Sequence, residues 1–348
     1  MIEVSRCSKS RIEQVDFNQL TFGKNFTDHM FCCTYDQGQW HNPRIIPYAP
    51  LTLDPGAKVF HYGQAVFEGM KAFKDDTGSV FLFRPDQNIA RFNKSAERLA
   101  IPEFPEDLFL EALKMLVNID RDWVKSGHGH ALYIRPFVFA SENGIAASPS
   151  ARYEFMIVLS PVTAYYSEKL KVLIADHYSR AADGGVGFAK AAGNYAAQFY
   201  PTNLAREKGY HQVIWTDASS HEFLEEAGTM NVFFRVGDTL ITAPTNDRIL
   251  DGVTRKSIIE LARELHLDVA IRKFSVTELL EAYHSGDLKE IFGSGTAATI
   301  SAVSAFGHKE NLYMLPEVSD CYADRLKHAL QDIQYNLGKD PFGWRLKI

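Results

Sequence analysis

Gly184-Gly185-Val186-Gly187-Phe188-Ala189-Lys190-Ala191-Ala192-Gly193-Asn194-Tyr195 is a run of small and apolar residues with one cation near its centre. Most lysines of a globular chain are solvated surface charges. This one has no acidic neighbour within the stretch, and desolvation disfavours the charged form of an amine. Lys190 is therefore expected to give up its proton easily, as a carbonyl-trapping nucleophile must. The following segment, 194–208, has helical composition and a stop at Gly209. Pro201 falls inside it, where a proline costs about 3 kcal/mol, so either the helix kinks or Pro201 opens a second one.

Upstream, Val80-Phe81-Leu82-Phe83-Arg84 reads as a strand that Pro85 stops, and Ile89, Phe92, Ala96 and Leu99 then recur on one helical face. The spacing predicts a second amphipathic helix over 107–125 and strands over 131–139, 152–160 and 170–175. Downstream, 211–216 reads as a strand, 231–236 and 239–243 as a hairpin turned by Gly237-Asp238, and 254–265 as a helix. Pro161 to Ser167, with its proline, small polar residues and two tyrosines, carries the strongest linker signal. The fold class is thus α/β (α+β), with a smaller N-terminal α/β domain over 1–160, a linker over 161–169 and a larger C-terminal domain over 170–348 that carries Lys190.

Two domains also follow from length, since 348 residues exceed one comfortable core. The 43 acidic and 37 basic residues give a net charge of −6 with no long run of either sign, which argues against nucleic acid as a partner. The N-terminal residues lack the apolar core of a leader, and no apolar stretch is long enough to span a membrane, so the expected location is cytoplasmic. Cys7, Cys32, Cys33 and Cys321 show no metal or disulfide spacing, and His128-Gly129-His130 has no third ligand nearby, so no metal is expected.

Three segments offer anion-binding geometry. Gly252-Val253-Thr254-Arg255 opens a helix whose first N–H groups could hold a phosphate, with the Thr254 hydroxyl as an added donor. Gly293-Ser294-Gly295-Thr296-Ala297-Ala298 can fold its amides into a second nest. Arg91 is offset from the apolar face of its helix, and a guanidinium suits phosphate. Each has an ordinary alternative: a helix cap, a tight turn and a solvated arginine. Together with Lys190 they suggest a phosphorylated aldehyde cofactor. Such a cofactor needs a carboxylate for its pyridinium nitrogen, and Glu225-Glu226 stand on an extended segment where neighbours face opposite sides, one towards the site and one towards water.

Tyr62-Gly63-Gln64-Ala65-Val66-Phe67-Glu68-Gly69-Met70-Lys71-Ala72-Phe73, Phe83-Arg84-Pro85, Tyr133-Ile134-Arg135-Pro136, Lys190 to Tyr195, Glu226 to Asn231, Gly252 to Arg255 and Phe292 to Ala297 occur in that order. Together they resemble the branched-chain amino acid aminotransferases, a family of fold-type IV (D-amino acid aminotransferase-like) enzymes that use pyridoxal 5'-phosphate. The resemblance runs from about residue 60 to residue 298. It implies the cofactor at the domain interface, with Lys190 as Schiff-base anchor and proton shuttle. It further implies Glu226 at the ring nitrogen, Tyr195 at the phenolate oxygen, and Arg91, Val253, Thr254 and Thr296 at the phosphate. Thr229 joins the cofactor contacts and the apolar wall. Tyr62 and Phe67 line that wall, Tyr133 and Arg135 serve the distal carboxylate, and backbone amides of Thr296 and Ala297 face the substrate carboxylate. Ile145 and Ala147 come from the neighbouring subunit of a homodimer.

The implied reaction moves an amino group between leucine, isoleucine or valine and 2-oxoglutarate in two half-reactions, as in branched-chain amino acid biosynthesis. Two departures stand out. Ala298-Thr299-Ile300-Ser301 replaces the redox CxxC of some relatives, and Ala147 is smaller than the expected valine. The same anchors would serve a D-amino acid transaminase or an aminodeoxychorismate lyase, against which Tyr133-Ile134-Arg135-Pro136 and Gly69-Met70-Lys71 argue. A protein that only carries the cofactor would need neither Lys190 nor Glu226, and a dinucleotide dehydrogenase lacks its glycine pattern here.

Overall fold

Strand, proline and helix follow one another at 80–98 as the apolar periodicity requires. In the computed structural model, which describes residues 1–163 and 168–348, Val80–Phe83 is a strand and Pro85–Arg98 a helix, with Arg84 turned to φ 48° between them. Ile89, Phe92 and Ala96 are buried on the inner helical face.

The strands of the first half are β1 (Glu3–Val4), β2 (His29–Asp36), β3 (Gln39–Pro47), β4 (Ala65–Phe67), β5 (Met70–Lys74), β6 (Val80–Phe83), β7 (Ala131–Ala140) and β8 (Tyr153–Val162). The helices are α1 (Lys58–Tyr62), α2 (Pro85–Arg98) and α3 (Glu106–Ile119). The sheet runs β1-β3-β2-β8-β7-β5-β6, with β4 on β7, and the C-terminal strand Arg345–Lys347 completes it against β6. Phe155 centres its core: the rings of Phe104, Phe92, Phe31 and Phe109 stand 3.8, 5.3, 6.1 and 6.3 Å from it. The helix expected to reach residue 125 ends at Ile119, because the Asp120 carboxylate is committed to His29, whose backbone N–H and Nδ1 lie 3.0 and 2.6 Å away.

In the second half, β9 (Leu170–Ile174), β10 (Gln212–Thr216), β11 (Leu224–Ala227), β12 (Met230–Val236), β13 (Thr239–Thr242), β14 (Asp268–Ile271), β15 (Leu288–Gly295), β16 (Thr299–His308) and β17 (Asn311–Met314) alternate with α4 (Ala192–Glu207), α5 (Val253–Glu264), α6 (Val276–Ser285) and α7 (Tyr322–Gln334). The order β11-β10-β9-β16-β15-β12 closes on itself through a β11–β12 pairing, a six-stranded barrel with no free edge among its members. Pro201 lies within the single helix α4.

The domain division differs from the expectation in three ways. Pro161 and Val162 continue β8 rather than starting a linker, while residues 164–167 of the expected linker lie outside the described residues. Two compact units are found, but Ala189–Gly193 groups with the first and not with the C-terminal one. Asp332–Ile348 also returns to the first unit, because β6 offers Phe81, Leu82 and Phe83 an unpaired edge that Arg345–Lys347 fills.

Candidate active site

In the first unit, β4 and β7 bring together residues from three of the quoted motifs. Val66 bridges Ala191, and the Phe67 backbone N–H donates to the Lys190 carbonyl at 3.1 Å. The Lys190 N–H donates to Ser95 Oγ at 3.0 Å, and that hydroxyl donates to the Arg91 carbonyl at 2.8 Å. The Lys190 ammonium stands 5.0 Å from the Phe67 ring centroid, and the Arg135 guanidinium 4.6 Å from it. Arg135 Nη2 donates to the Tyr133 hydroxyl at 3.1 Å, and its buried Nε has no hydrogen-bond partner among the described residues. Only a glycine fits at 69: a Cβ there would lie 2.1 Å from the Tyr133 hydroxyl oxygen.

Arg91 is no solvated arginine. Its Nε and Nη2 donate to the two oxygens of Glu68, at 2.7 and 2.9 Å, and Glu68 is wholly buried. Asn88 Nδ2 (2.7 Å) and the Gly69 N–H (3.0 Å) donate to the same carboxylate. Burial alone would raise the Glu68 pKa, but the charges of Arg91 and Lys190 and these hydrogen bonds hold it below its ordinary value. The apolar surroundings of Lys190 in sequence are thus not apolar in space: Glu68 supplies the negative charge that the stretch itself lacks. The residue could have been flagged, since an acid within Val66-Phe67-Glu68-Gly69-Met70 needs a buried cationic partner.

Tyr62, at the end of α1, donates its hydroxyl to the Ile145 carbonyl, and Ala147 lies in the bend that follows.

In the second unit, Glu226 on β11 is buried and held from three sides. Arg180 Nη2 stands 2.8 Å from Oε1, while Asn231 Nδ2 and the Leu250 N–H donate to Oε2 at 3.0 and 3.1 Å. Arg180 escaped the sequence reading, since it carries no local signal, and Asn231 stood in a quoted motif without a role. Glu225 was expected in water and is not there. It is buried against Arg248, which also pairs with Asp183; burial raises the Glu225 pKa, and Arg248 partly offsets this. Adjacent strand residues do face opposite sides, but here both sides are interior.

Asn231 pairs in register with Glu226 on one side and with Ser294 on the other, so three strands place these side chains in a row. The buried Ser294 Oγ has no partner among the described residues. The same Asn231 meets the start of α5: a Cβ at Gly252 would lie 2.0 Å from its Oδ1. Gly252 caps α5 with no side-chain hydrogen bond, and Val253 and Thr254 form its buried first turn. Thr229 sits in the two-residue turn between β11 and β12, with its carbonyl 3.1 Å from where a Cβ on Gly295 would lie. Thr296 and Ala297 form the turn from β15 to β16, half-exposed, and Tyr195 stands on the first turn of α4. Among the described residues no group of three or more His, Cys, Asp or Glu side chains could hold a metal, and no helix is long and apolar enough to cross a membrane.

The family model described as amino-transferase class IV matches residues 65–306. Branched-chain-amino-acid transaminase 1 of Bacillus subtilis (strain 168) is 46% identical over 342 residues, covering 97% of this chain and 96% of its own. Branched-chain-amino-acid aminotransferase 2 of the same organism is 43% identical, covering 96% and 93%. Among solved structures, the branched-chain amino acid aminotransferase of Escherichia coli superposes with a TM-score of 0.76 at 25% identity, covering 91% of this chain and 98% of that one. On this evidence of sequence and fold together, the chain belongs to the class IV aminotransferases.

Proposed function

We propose that the protein is a pyridoxal 5'-phosphate-dependent branched-chain aminotransferase, a cytoplasmic homodimer that exchanges the amino group between leucine, isoleucine or valine and 2-oxoglutarate. The observation that carries the reading is the pairing of Lys190 with Phe67, Arg135 and Tyr133 in one unit, together with a buried, arginine-held Glu226 in the other.

The residues suit the cofactor. An uncapped helix start at Gly252, approached so closely by Asn231 that no Cβ fits, is built for an anion, and the orphaned Ser294 hydroxyl lies one strand away. When bound, pyridoxal phosphate supplies a carbonyl that captures the amine and a ring that takes up the electron pair released at Cα.

Lys190 anchors this group and then moves the proton at Cα. Glu226 holds a proton on the ring nitrogen, and the three donors already described fix the plane of its carboxylate. Arg91 meets the phosphate in company with Val253, Thr254 and Thr296. The clamp on Glu68 fixes the plane of the guanidinium, a group whose fork of donors suits phosphate. Tyr195 donates to the phenolate oxygen, and Thr229 borders the ring.

Phe67, Tyr62 and Thr229 give the aliphatic side chain its apolar wall, and the orphaned Nε of Arg135 beside Tyr133 suits the distal carboxylate of glutamate. Amides of Thr296 and Ala297 take the substrate α-carboxylate, and Ile145 and Ala147 complete the neighbouring subunit's pocket.

The test is chemical. Borohydride reduction of the yellow holoenzyme, followed by peptide mapping, is expected to fix the cofactor on Lys190, and L-leucine is expected to convert the enzyme to its amine form faster than D-alanine or aminodeoxychorismate. Fixation on another lysine, or preference for D-alanine, would overturn the reading.

A further inference from the structure

Lys58 opens α1, and although its neighbours on that helix reach solvent, its own side chain is only 4% exposed. Every donor of its ammonium is engaged. It donates to Ser148 Oγ at 3.0 Å and to the carbonyls of Ser148 and Pro149 at 3.3 and 3.2 Å, and Glu142 Oε2 lies 3.1 Å away. All four acceptors belong to the connection between β7 and β8. The base of that connection is tied to the same place. The Lys58 N–H donates to the Glu142 carbonyl at 3.0 Å, the Gly144 N–H to the Gly56 carbonyl at 2.9 Å, and Ala57 bridges Asn143. A Cβ at Gly56 would come 2.1 Å from Asn143 Oδ1, so the two segments approach as closely as backbone allows.

The outer side of the loop has the opposite character. Ile145 is 72% exposed, Phe60 61% and Tyr62, whose hydroxyl grips the Ile145 carbonyl, 45%. An apolar tip on a tightly bound base gains nothing for the chain that carries it. It gains on meeting another surface, because a loop ordered beforehand loses little entropy on contact.

The geometry points to Lys58 as the positioning residue that holds loop 142–149 ready for the active site of a second copy of this chain, so that Lys58 acts on substrate binding in the partner and not in its own subunit. The inference rests on the reading above in which Ile145 and Ala147 serve the neighbouring pocket. A loop that only completes an apolar wall contributes equally to ground and transition states, so loosening it raises KM and leaves kcat in place.

Lys58→Met removes all three donors and keeps the length of the stem. In the full-length holoenzyme it is expected to raise KM for L-leucine about tenfold, with kcat within about twofold and an unchanged cofactor absorption spectrum. Hybrid dimers, purified through two different tags, then locate the effect. With K58M on one chain and K190A on the other, the one working lysine receives an intact loop, and wild-type KM is expected. With K58M and K190A on the same chain beside a wild-type partner, the working site receives the loosened loop, and the raised KM is expected. The reverse pattern, or a wild-type KM in the K58M homodimer, overturns the inference. If K58M does not fold, Glu142→Gln enters the same two hybrids, with a KM rise of about threefold and the same expected pattern. A protein that sediments as a monomer at assay concentration overturns the shared-site reading itself, a failure distinct from a dimer whose Lys58 acts within its own chain.

Discussion

Arg180 holds Glu226: its Nη2 stands 2.8 Å from the Oε1 of a carboxylate that is itself buried, and it donates at 2.9 Å to the Gly187 carbonyl as well. Removing the cation leaves a buried negative charge. Arg180→Met is expected to cost about 3–5 kcal/mol of stability in chemical denaturation, and pairing it with Glu226→Met should return most of that loss. Without Arg180 the Glu226 carboxylate competes better for the ring proton, and each unit gained in its proton affinity is about tenfold. R180M enzyme that binds cofactor should therefore turn over leucine about tenfold more slowly with little change in KM. Stopped-flow half-reactions with leucine check this.

Glu68 predicts a pH dependence of stability. Its folded pKa lies below the ordinary value near 4.5, so between the two the unfolded chain binds more protons than the folded one. The stabilisation is fully present above about pH 4.5 and is lost as pH falls through the depressed value. Thermal unfolding of the protein between pH 3.5 and 7 should show this acid-side fall, and Glu68→Gln should flatten it while lowering stability at pH 7 by about 3 kcal/mol. An unaltered acid slope in the variant would assign the fall to other carboxylates.

Gly69→Ala places a methyl group 2.1 Å from the Tyr133 hydroxyl oxygen and 2.9 Å from its ring carbon Cζ. The phenol must swing away, taking the hydrogen bond from Arg135 with it. We expect kcat/KM for 2-oxoglutarate to fall about tenfold or more, since small displacements of positioning groups are costly. Adding Tyr133→Phe should not restore it, because the ring carbon still clashes. Steady-state kinetics on the two variants decide this.

Gly252→Ala acts on the other unit. Its Cβ would meet Asn231 Oδ1 at 2.0 Å, so either the start of α5 moves or Asn231 releases Glu226. Cofactor affinity is expected to weaken about tenfold, a loss of about 1.4 kcal/mol, measured by fluorescence titration of the apoenzyme.

The elements that show in the sequence are those whose periodicity is local. Strand β6 and helix α2 are legible because Pro85 and the Ile89, Phe92, Ala96 spacing lie within one window. The hairpin at Gly237 is legible for the same reason, with φ 57° at that glycine. The charge partners are not. Arg91 and Glu68 are 23 residues apart and meet only once β5, β6 and α2 have folded, and Arg180 reaches Glu226 across still more chain. Glu225 was misjudged because alternation along a strand says which side a residue faces, not whether that side is wet. The C-terminal return was missed because Arg345-Leu346-Lys347 is too short and too polar to announce a strand.

That return has a consequence for how the protein comes into being. The first unit is begun by residue 2 and finished by residue 348: the Ile348 N–H donates to the Val80 carbonyl, the Ile348 carbonyl accepts from Arg121, and Asn336 reaches Asp75. Domains that emerge first from the ribosome usually fold first. Here the N-terminal sheet keeps an open β6 edge until residues 345–347 have been made, after all the strands of the barrel. Removing Arg345–Lys347 would leave the enzyme's first-made half permanently unfinished.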